Sequence, residues 1–382
     1  MNRKGLLLCS ENYDFNDKNT LSIGIAKKIL SQVKTLNTDN SECILVNLYI
    51  TFKSPLLRLI YIFFSRNMYI NKLTKFDFAT VDFVYIRRFI PLSLGFVSML
   101  AYIKKINKGC KIIYEIPTYP YDSEHRGFKG NIVLLIDKIF RKKLKRYVDC
   151  VVTYSQDNTI FGVTTIKIMN GIDCSAISPV DVTEYRRNTD RIPTEVAIRL
   201  IAVAQFADWH GYDRLIEGLY EYYKHSPEKK VFIDFVGDGS VLQQYREMVY
   251  KYDLDKYIVF HGLLTGDALS AVFNQADIAV CSLGCHRIGV FLGSFLKSRE
   301  YIARGLPMIS STKIDILPDD YQYIQYVPED DSAIDVESIV KFCNVLNHAE
   351  DRQQQVKNIR AFAESNCDMS VTMKPIILEF IR

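Results

Sequence analysis

Short runs of β-branched and aromatic residues alternate with longer amphipathic stretches almost from end to end of this 382-residue chain. That alternation constrains the fold more than any other feature. Strand-like runs stand at Gly5–Cys9, Cys43–Tyr49, Phe83–Arg87, Lys111–Glu115 and Cys150–Thr153, with helical patterns at roughly 20–34, 55–70, 91–107 and 130–147 between them. Runs that stay apolar at successive positions suit strands covered on both faces, and strands alternating with helices build right-handed βαβ units around a parallel sheet.

The scheme then repeats. Strands are predicted at Arg199–Ala204, Lys230–Val236, Ile258–His261, Ile278–Cys281 and Met308–Ser310, with helices at roughly 211–225, 239–252, 266–275 and 295–304. The stretch 175–197 is polar, holds two prolines and shows little periodicity, as a linker does. The expected organisation is therefore α/β with two Rossmann-like parallel-sheet domains facing across a cleft. The first covers 1–178, a linker 179–197, the second 198–365, and a C-terminal helix over 366–382 can cross back to the first.

Composition excludes several classes. The most apolar run, 89–103, is interrupted by Pro91, Ser93, Gly95 and Ser98 and is too short to span a bilayer. The opening "MNRKGLLLCS" lacks the length of a signal-peptide core and reads as a buried first strand, so the chain is expected in the cytoplasm. Nine scattered cysteines form no disulfide framework, and Cys281, Cys285 and His286 lack the spacing of a zinc site. The formal charge of +4 conceals a split: residues 1–180 carry 26 Lys+Arg against 14 Asp+Glu, a net of +12, leaving −8 for the rest. Aromatics sit inside apolar runs rather than interleaved as a stacking platform, which argues against nucleic acid.

Three stretches carry candidate chemistry. In "RLIAVAQFADWHGYDRLIEGL" a buried strand ends near Gln205, a loop carries His210, and Gly211 opens a helix. Such a junction presents free amides and the positive helix end to an anion, although an ordinary βα turn has the same pattern. "FIDFVGDGSVLQQY" lacks the third glycine of a dinucleotide fingerprint, so Gly237 and Gly239 read as structural. In "CSLGCHRIGVFLGSFLKSREYIARGLPMIS" a Gly-rich loop holding Arg287 leads to a helix with Ser294 as expected N-cap and Gly305 as C′. Lys297 in the first turn opposes the helix dipole, which makes sense where an anion sits at that end. Lys297 and Arg287 can then converge on a diphosphate, and Glu300 can accept from a ribose diol. The plainer alternative has Lys297 solvated and Glu300 paired with Lys297 or Arg304.

The order "WHGYDRLI", "VGDG", "HGLL", "LKSREYIARGLP", together with "YEIPTYPYDSE" and "NGID", resembles the retaining GT-B glycosyltransferases of glycosyltransferase family 4. The closest likeness is to bacterial capsule, O-antigen and exopolysaccharide enzymes. The resemblance implies a nucleotide-diphosphate sugar donor, retention at the anomeric carbon, a glycan acceptor, and neither cofactor nor metal. Glu300 falls on the family's ribose-binding glutamate, whereas its usual companion falls on Leu292. The family's diphosphate-gripping Arg and Lys fall on Gln205 and His210, which leaves Arg287 and Lys297 as the expected catalytic cations. Ser294, Gly211, and the "HGLL" residues Gly262 and Leu264 complete the expected donor side.

On the acceptor side, the resemblance points to Asn19, Ser22, Glu115, Glu124 and His125. The segments 52–73 and 131–149 join apolar helical faces to Lys/Arg, suited either to anionic headgroups and a polyprenyl-diphosphate-linked acceptor or to plain solvation. A GT-B epimerase or phosphorylase, or a non-catalytic nucleotide-sugar-binding member of an assembly complex, are the rival readings.

Overall fold

In the computed structural model, residues 2–17, 24–52, 54, 61, 65–89, 91–122, 127–183 and 197–381 are described. They fall into two units, 1–169 with 372–382 and 170–371.

Unit 1 is built on a seven-stranded sheet: β1 (Arg3–Cys9), β2 (Ser41–Asn47), β3 (Phe83–Arg87), β4 (Lys111–Ile116), β5 (Cys150–Thr153), β6 (Thr159–Ile160) and β7 (Val163–Lys167). The order is β2-β1-β3-β4-β5-β7-β6, parallel except for the antiparallel pair β6–β7. All five residues of β3 are buried, because helices cover both faces of a central parallel strand. Helices α1 (Gly24–Leu36), α2 (Leu94–Ile106) and α3 (Gly127–Arg141) connect the strands. Ser93 caps α2 by accepting the Phe96 N–H, satisfying one of the amides that a helix start leaves free. Most of the helix expected over 55–70 lies outside the described residues.

Unit 2 is a six-stranded parallel sheet. Its strands are β8 (Ala197–Phe206), β9 (Lys230–Gly239), β10 (Ile258–Gly262), β11 (Ile278–Val280), β13 (Met308–Ser310) and β15 (Ile324–Tyr326), in the order β10-β9-β8-β11-β13-β15. A separate small pair joins β12 (Leu292–Gly293) to β14 (Lys313–Ile314). The helices are α4 (Tyr212–Lys224), α5 (Leu242–Lys251), α6 (Gly266–Gln275), α7 (Leu296–Ala303), α8 (Val336–Ala349) and α9 (Arg352–Asn366).

Successive strand residues divide between two cores. Leu200 and Ala202 join α4, α5 and α8, whereas Ile201 joins α6, α7 and α9. Helix α4 buries Tyr212, Leu215, Ile216, Leu219 and Tyr222, a spacing of three and four residues that makes one continuous stripe. Each fully buried aliphatic side chain contributes about 1.5–3 kcal/mol.

Residues 170–178, expected in the first domain, pack in unit 2. Ile172 donates its N–H to Cys367 O and accepts from Met369 N–H, while Cys174 and Val180 join the core beneath α7 and α9. Gly237 and Gly239 are glycine for a steric reason: a Cβ at either would strike a carbonyl of β8. All nine cysteines are buried and unpaired. Among the described residues, no helix is long and apolar enough to cross a membrane.

Candidate functional site

Ligands of parallel sheets bind beyond the carboxyl ends of the strands, where connecting loops and helix starts converge. In unit 2 two such loops meet. After β8 a 3₁₀ turn (Asp208–His210) leads through Gly211 into α4. After β11 the chain runs through Gly284 into a second 3₁₀ turn, Cys285–Ile288. Gly211 has φ +65, and a Cβ there would lie 2.5 Å from the Gly284 nitrogen. Gly284 approaches from the other side, with its own Cβ direction 2.9 Å from Gly211 Cα. The glycine pair lets the loops touch, and the Leu283 N–H donates to His210 O at 2.8 Å.

His210 is buried and fixed in one tautomer. The Ala207 N–H donates to its Nδ1 at 3.0 Å, and since an amide can only donate, Nε2 carries the ring proton. Burial, reinforced by the charge of Lys297, lowers its pKa to about 3, so the ring is neutral at physiological pH. The ring stacks on Trp209 at 3.8 Å and 30°.

Lys297, the second residue of α7, is half-buried in the same place. Its Nζ donates to Tyr212 Oη at 3.3 Å and lies 5.7 and 5.5 Å from the ring centroids of Trp209 and Tyr212. Among the described residues it has no carboxylate partner, and desolvation lowers its pKa to about 8. One turn further on, Glu300 Oε1 accepts from Arg304 Nε and Nη2, both at 3.1 Å. Its Oε2 accepts nothing among the described residues. Of the two cations near it, Glu300 thus pairs with Arg304 and not Lys297, and the pairing uses one oxygen only.

Arg287 is spent on carboxylates. Nη1 and Nη2 take both oxygens of Asp213 at 3.0 and 2.7 Å, Nε donates to Asp331 at 2.7 Å, and Nη1 also donates to Asp208 O at 2.9 Å. These partners raise its pKa and neutralise its charge, so in this arrangement Arg287 ties loops together rather than offering a free cation. His286 joins it on Asp331 at 3.1 Å.

Ser294 does not cap α7. The N-cap is Phe295, whose carbonyl accepts from Ser298 Oγ at 2.8 Å, while Ser294 Oγ accepts the Asn170 N–H at 3.2 Å. The helix starts one residue later than expected because Ser294 holds the entering chain. At the other end Gly305 has φ +78, as a C′ glycine should.

Gln205 is exposed at the end of β8. Gly262 (φ +69) ends β10, two strands and therefore about 10 Å from β8, with Leu264 just beyond. The structure thus joins His210, Gly211 and Lys297, sets Glu300 one turn along, and leaves Gly262 and Leu264 on the flank. Trp209, which reads from the sequence as a loop residue that packs, and Tyr212 are the rings framing the ammonium, and neither is among the site residues expected from the sequence; their adjacency to His210 was the available signal. Among the described residues no group of three or more His, Cys, Asp and Glu is placed to hold a metal.

In unit 1, Asn19, Ser22, Glu124 and His125 lie outside the described residues. Glu115, expected beside acceptor hydroxyls, is instead wholly buried. Its Oε1 meets Lys28 at 3.1 Å and accepts from Tyr154 Oη at 2.8 Å; its Oε2 accepts from Gln32 at 2.7 Å and Tyr85 at 2.9 Å. Burial alone would raise its pKa, but Lys28 and Arg87, with the Gln32 and Tyr154 hydrogen bonds, hold it at about 2. With both oxygens occupied, Glu115 organises the end of the sheet.

No family model and no curated protein sequence matches the chain. Solved structures do. HepE from Anabaena, determined in complex with UDP and glucose, superposes with a TM-score of 0.60 at 15% identity over 99% of this chain and 98% of its own. Sucrose-phosphate synthase from Thermosynechococcus elongatus gives 0.63 at 12% identity over 98% of each chain. A glycosyltransferase from Rickettsia africae gives 0.60 at 12% identity over 99% of this chain and 98% of its own. Likeness of this extent at so little identity establishes architecture: the chain has the GT-B fold, with two Rossmann-like parallel-sheet domains.

Proposed function

We propose that the chain is a retaining glycosyltransferase of the family 4 type, moving a sugar from a nucleotide-diphosphate donor held by unit 2 to a glycan acceptor in bacterial surface-polysaccharide synthesis. Lys297 carries the reading. An ammonium with no carboxylate partner among the described residues, desolvated against Trp209 and Tyr212 at the carboxyl end of a parallel sheet, calls for a dense anion. A donor diphosphate supplies one. UDP, held by HepE, is the first nucleotide to try.

In the proposed reaction the bond from the anomeric carbon to the diphosphate oxygen breaks as the acceptor oxygen bonds on the same face. The acceptor proton passes to the departing diphosphate. Lys297 and the Nε2–H of His210 act on the charge that gathers on the leaving group, so they stabilise the transition state more than the bound donor. The open oxygen of Glu300 accepts from the ribose, oriented by Arg304. Arg287 serves as a positioning residue, holding the loop after β11 against the start of α4.

A thermal-shift screen of UDP, GDP and dTDP with their sugars tests this, because a native ligand raises the melting temperature. One nucleotide series is expected to stabilise the chain, and Lys297→Ala to abolish both that shift and transfer. Full transfer by Lys297→Ala would overturn the assignment.

A lipid-linked acceptor, and with it work at the inner face of the membrane, is supported by α3. Phe128, Leu135 and Ile139 are 82, 61 and 52% exposed on one face of that helix. Lys142, Lys143, Lys145 and Arg146 follow, all exposed. Apolar side chains ringed by cations suit an anionic bilayer surface. Cosedimentation with phosphatidylglycerol-containing but not pure phosphatidylcholine vesicles is the expected result, lost in the double variant Phe128→Ser/Leu135→Ser; equal recovery of parent and variant with both vesicles refutes it.

A further inference from the structure

The crevice of unit 1 lies where the chain leaves β1 towards β2 on one side and β3 on the other. Glu11 stands just beyond β1, and Arg87 is the last residue of β3. The backbone of Glu11 is fastened. Its N–H donates to Asn47 Oδ1 at 3.2 Å, and Asn47 Nδ2 donates to Glu11 O at 2.8 Å and Tyr13 O at 3.1 Å. Its carboxylate, by contrast, is 27% exposed and accepts no hydrogen bond among the described residues.

Arg87 is the complementary case. Its side chain is only 9% exposed, yet its guanidinium makes no hydrogen bond among the described residues, and Nη1 is enclosed without a partner. The nearest carboxylate oxygens are Glu11 Oε1, 3.8 Å from Nε, and Glu115 Oε1, 4.0 Å from Nη1. Arg214 and Arg299, buried more deeply still, have every guanidinium nitrogen bonded. Arg214 donates to the carbonyls of Ser332, Leu283 and Pro328, and Arg299 donates to Asn170 O, Ser298 Oγ and Asp315. Buried donors without acceptors are rare and costly, so each calls for an explanation, and a ligand that brings an acceptor is one.

Charge decides what that ligand is. Lys28 and Glu115 pair at 3.1 Å, and Arg87 faces Glu11, so the four charges cancel. Among these described side chains there is hydrogen-bonding capacity to spare but no charge to spare. An anion would face Glu11 and a cation would face Arg87. A neutral vicinal diol satisfies both at once: one hydroxyl donates to the carboxylate while the oxygen of its neighbour accepts from the guanidinium.

We propose that Glu11 and Arg87 form a subsite for the hydroxyls of a neutral sugar, the terminal residue of the acceptor glycan. Only the word acceptor rests on the glycosyltransferase reading; the sugar site stands on the crevice itself.

Saturation-transfer NMR on the full chain tests it, with the methyl glycosides of glucose, galactose, mannose, rhamnose and N-acetylglucosamine as probes, each with and without UDP. At least one glycoside is expected to show transfer and to lose affinity tenfold or more in both Glu11→Gln and Arg87→Lys. Glu11→Gln keeps the shape of a part-exposed side chain, so its melting temperature should stay close to that of the parent. Nucleotide affinity should stay within twofold in both variants. The proposal is overturned if no glycoside binds, which leaves ordered water in the crevice, or if Glu11→Gln binds as the parent does. Displacement of the glycoside by inorganic phosphate in the parent but not in Arg87→Lys would also overturn it, showing an anion site. Failure of every nucleotide to bind, with the glycoside still held at Glu11 and Arg87, would refute the glycosyltransferase reading and leave the sugar site standing.

Discussion

The ammonium of Lys297 should make donor binding depend on pH in a window where few other groups titrate. Its pKa in the folded chain is about 8, so the group is about nine-tenths charged at pH 7 and about one-tenth at pH 9. A bound diphosphate selects the charged form, and apparent affinity scales with the fraction in the competent state. The dissociation constant should therefore rise about tenfold between pH 7 and 9, about 1.4 kcal/mol. At pH 8 binding should draw about half a proton from solution. His210, with its pKa lowered to about 3, is silent across this range, and burial raises the Cys281 thiol out of it. Isothermal titration with the nucleotide sugar selected by the thermal screen, in two buffers of different ionisation enthalpy, reads both quantities. Lys297→Arg keeps its charge and should flatten the profile, and any titration of the nucleotide base cancels in the ratio to that variant. A parent affinity unchanged from pH 7 to 9, with no proton uptake at pH 8, would refute the reasoning.

The remaining expectations concern stability. The folded pKa of Lys297 lies below its unfolded value, so the unfolded chain binds the proton more tightly and stability should rise as pH climbs from about 8 towards 10.5. Lys297→Met should consequently raise the melting temperature at pH 7 while losing nucleotide binding, whereas Arg287→Met, which strands Asp208, Asp213 and Asp331, should lower it. Gly211→Ala imposes a left-handed backbone on a residue with a Cβ 2.5 Å from Gly284 N, and should cost about 2 kcal/mol or more in urea unfolding. Glu115, held at about 2 against the ordinary glutamate value of 4.5, should contribute on the order of 3 kcal/mol above pH 4.5 that is lost as pH falls through about 2. Glu115→Gln should remove most of that acid dependence in denaturation curves taken at successive pH values.

Legibility followed the range of the interactions. The central strands were plain in the sequence because both faces are covered and their apolar runs are unbroken, as in "FVYIR" of β3. The short strands β6, β7 and β15, towards the ends of the sheets, were not. Their residues are mixed in polarity, and their pairing depends on neighbours brought from elsewhere. The boundary at 169/170 rather than 178 was hidden for the same reason, since Ile172 is bonded to Cys367 and Met369 across nearly the whole of unit 2. Ser294 was the natural N-cap by residue type, yet a bond from Asn170 claimed its hydroxyl.

By itself the sequence determined the α/β alternation, the duplication into two sheets, the loop glycines, and the odd placement of a lysine at a helix start. All are local or periodic properties, set by side-chain spacing and backbone freedom. Only the tertiary structure decided which charges were free. Arg287 and Lys297 are ten residues apart and looked equivalent, but Asp213 and Asp331, 74 and 44 positions from Arg287, reach it, and among the described residues no carboxylate reaches Lys297. Glu115 looked available and is enclosed; Glu11 and Arg87 drew no notice, yet among the described residues neither side chain makes a hydrogen bond. A side chain is available or spent according to neighbours that distant parts of the chain bring to it.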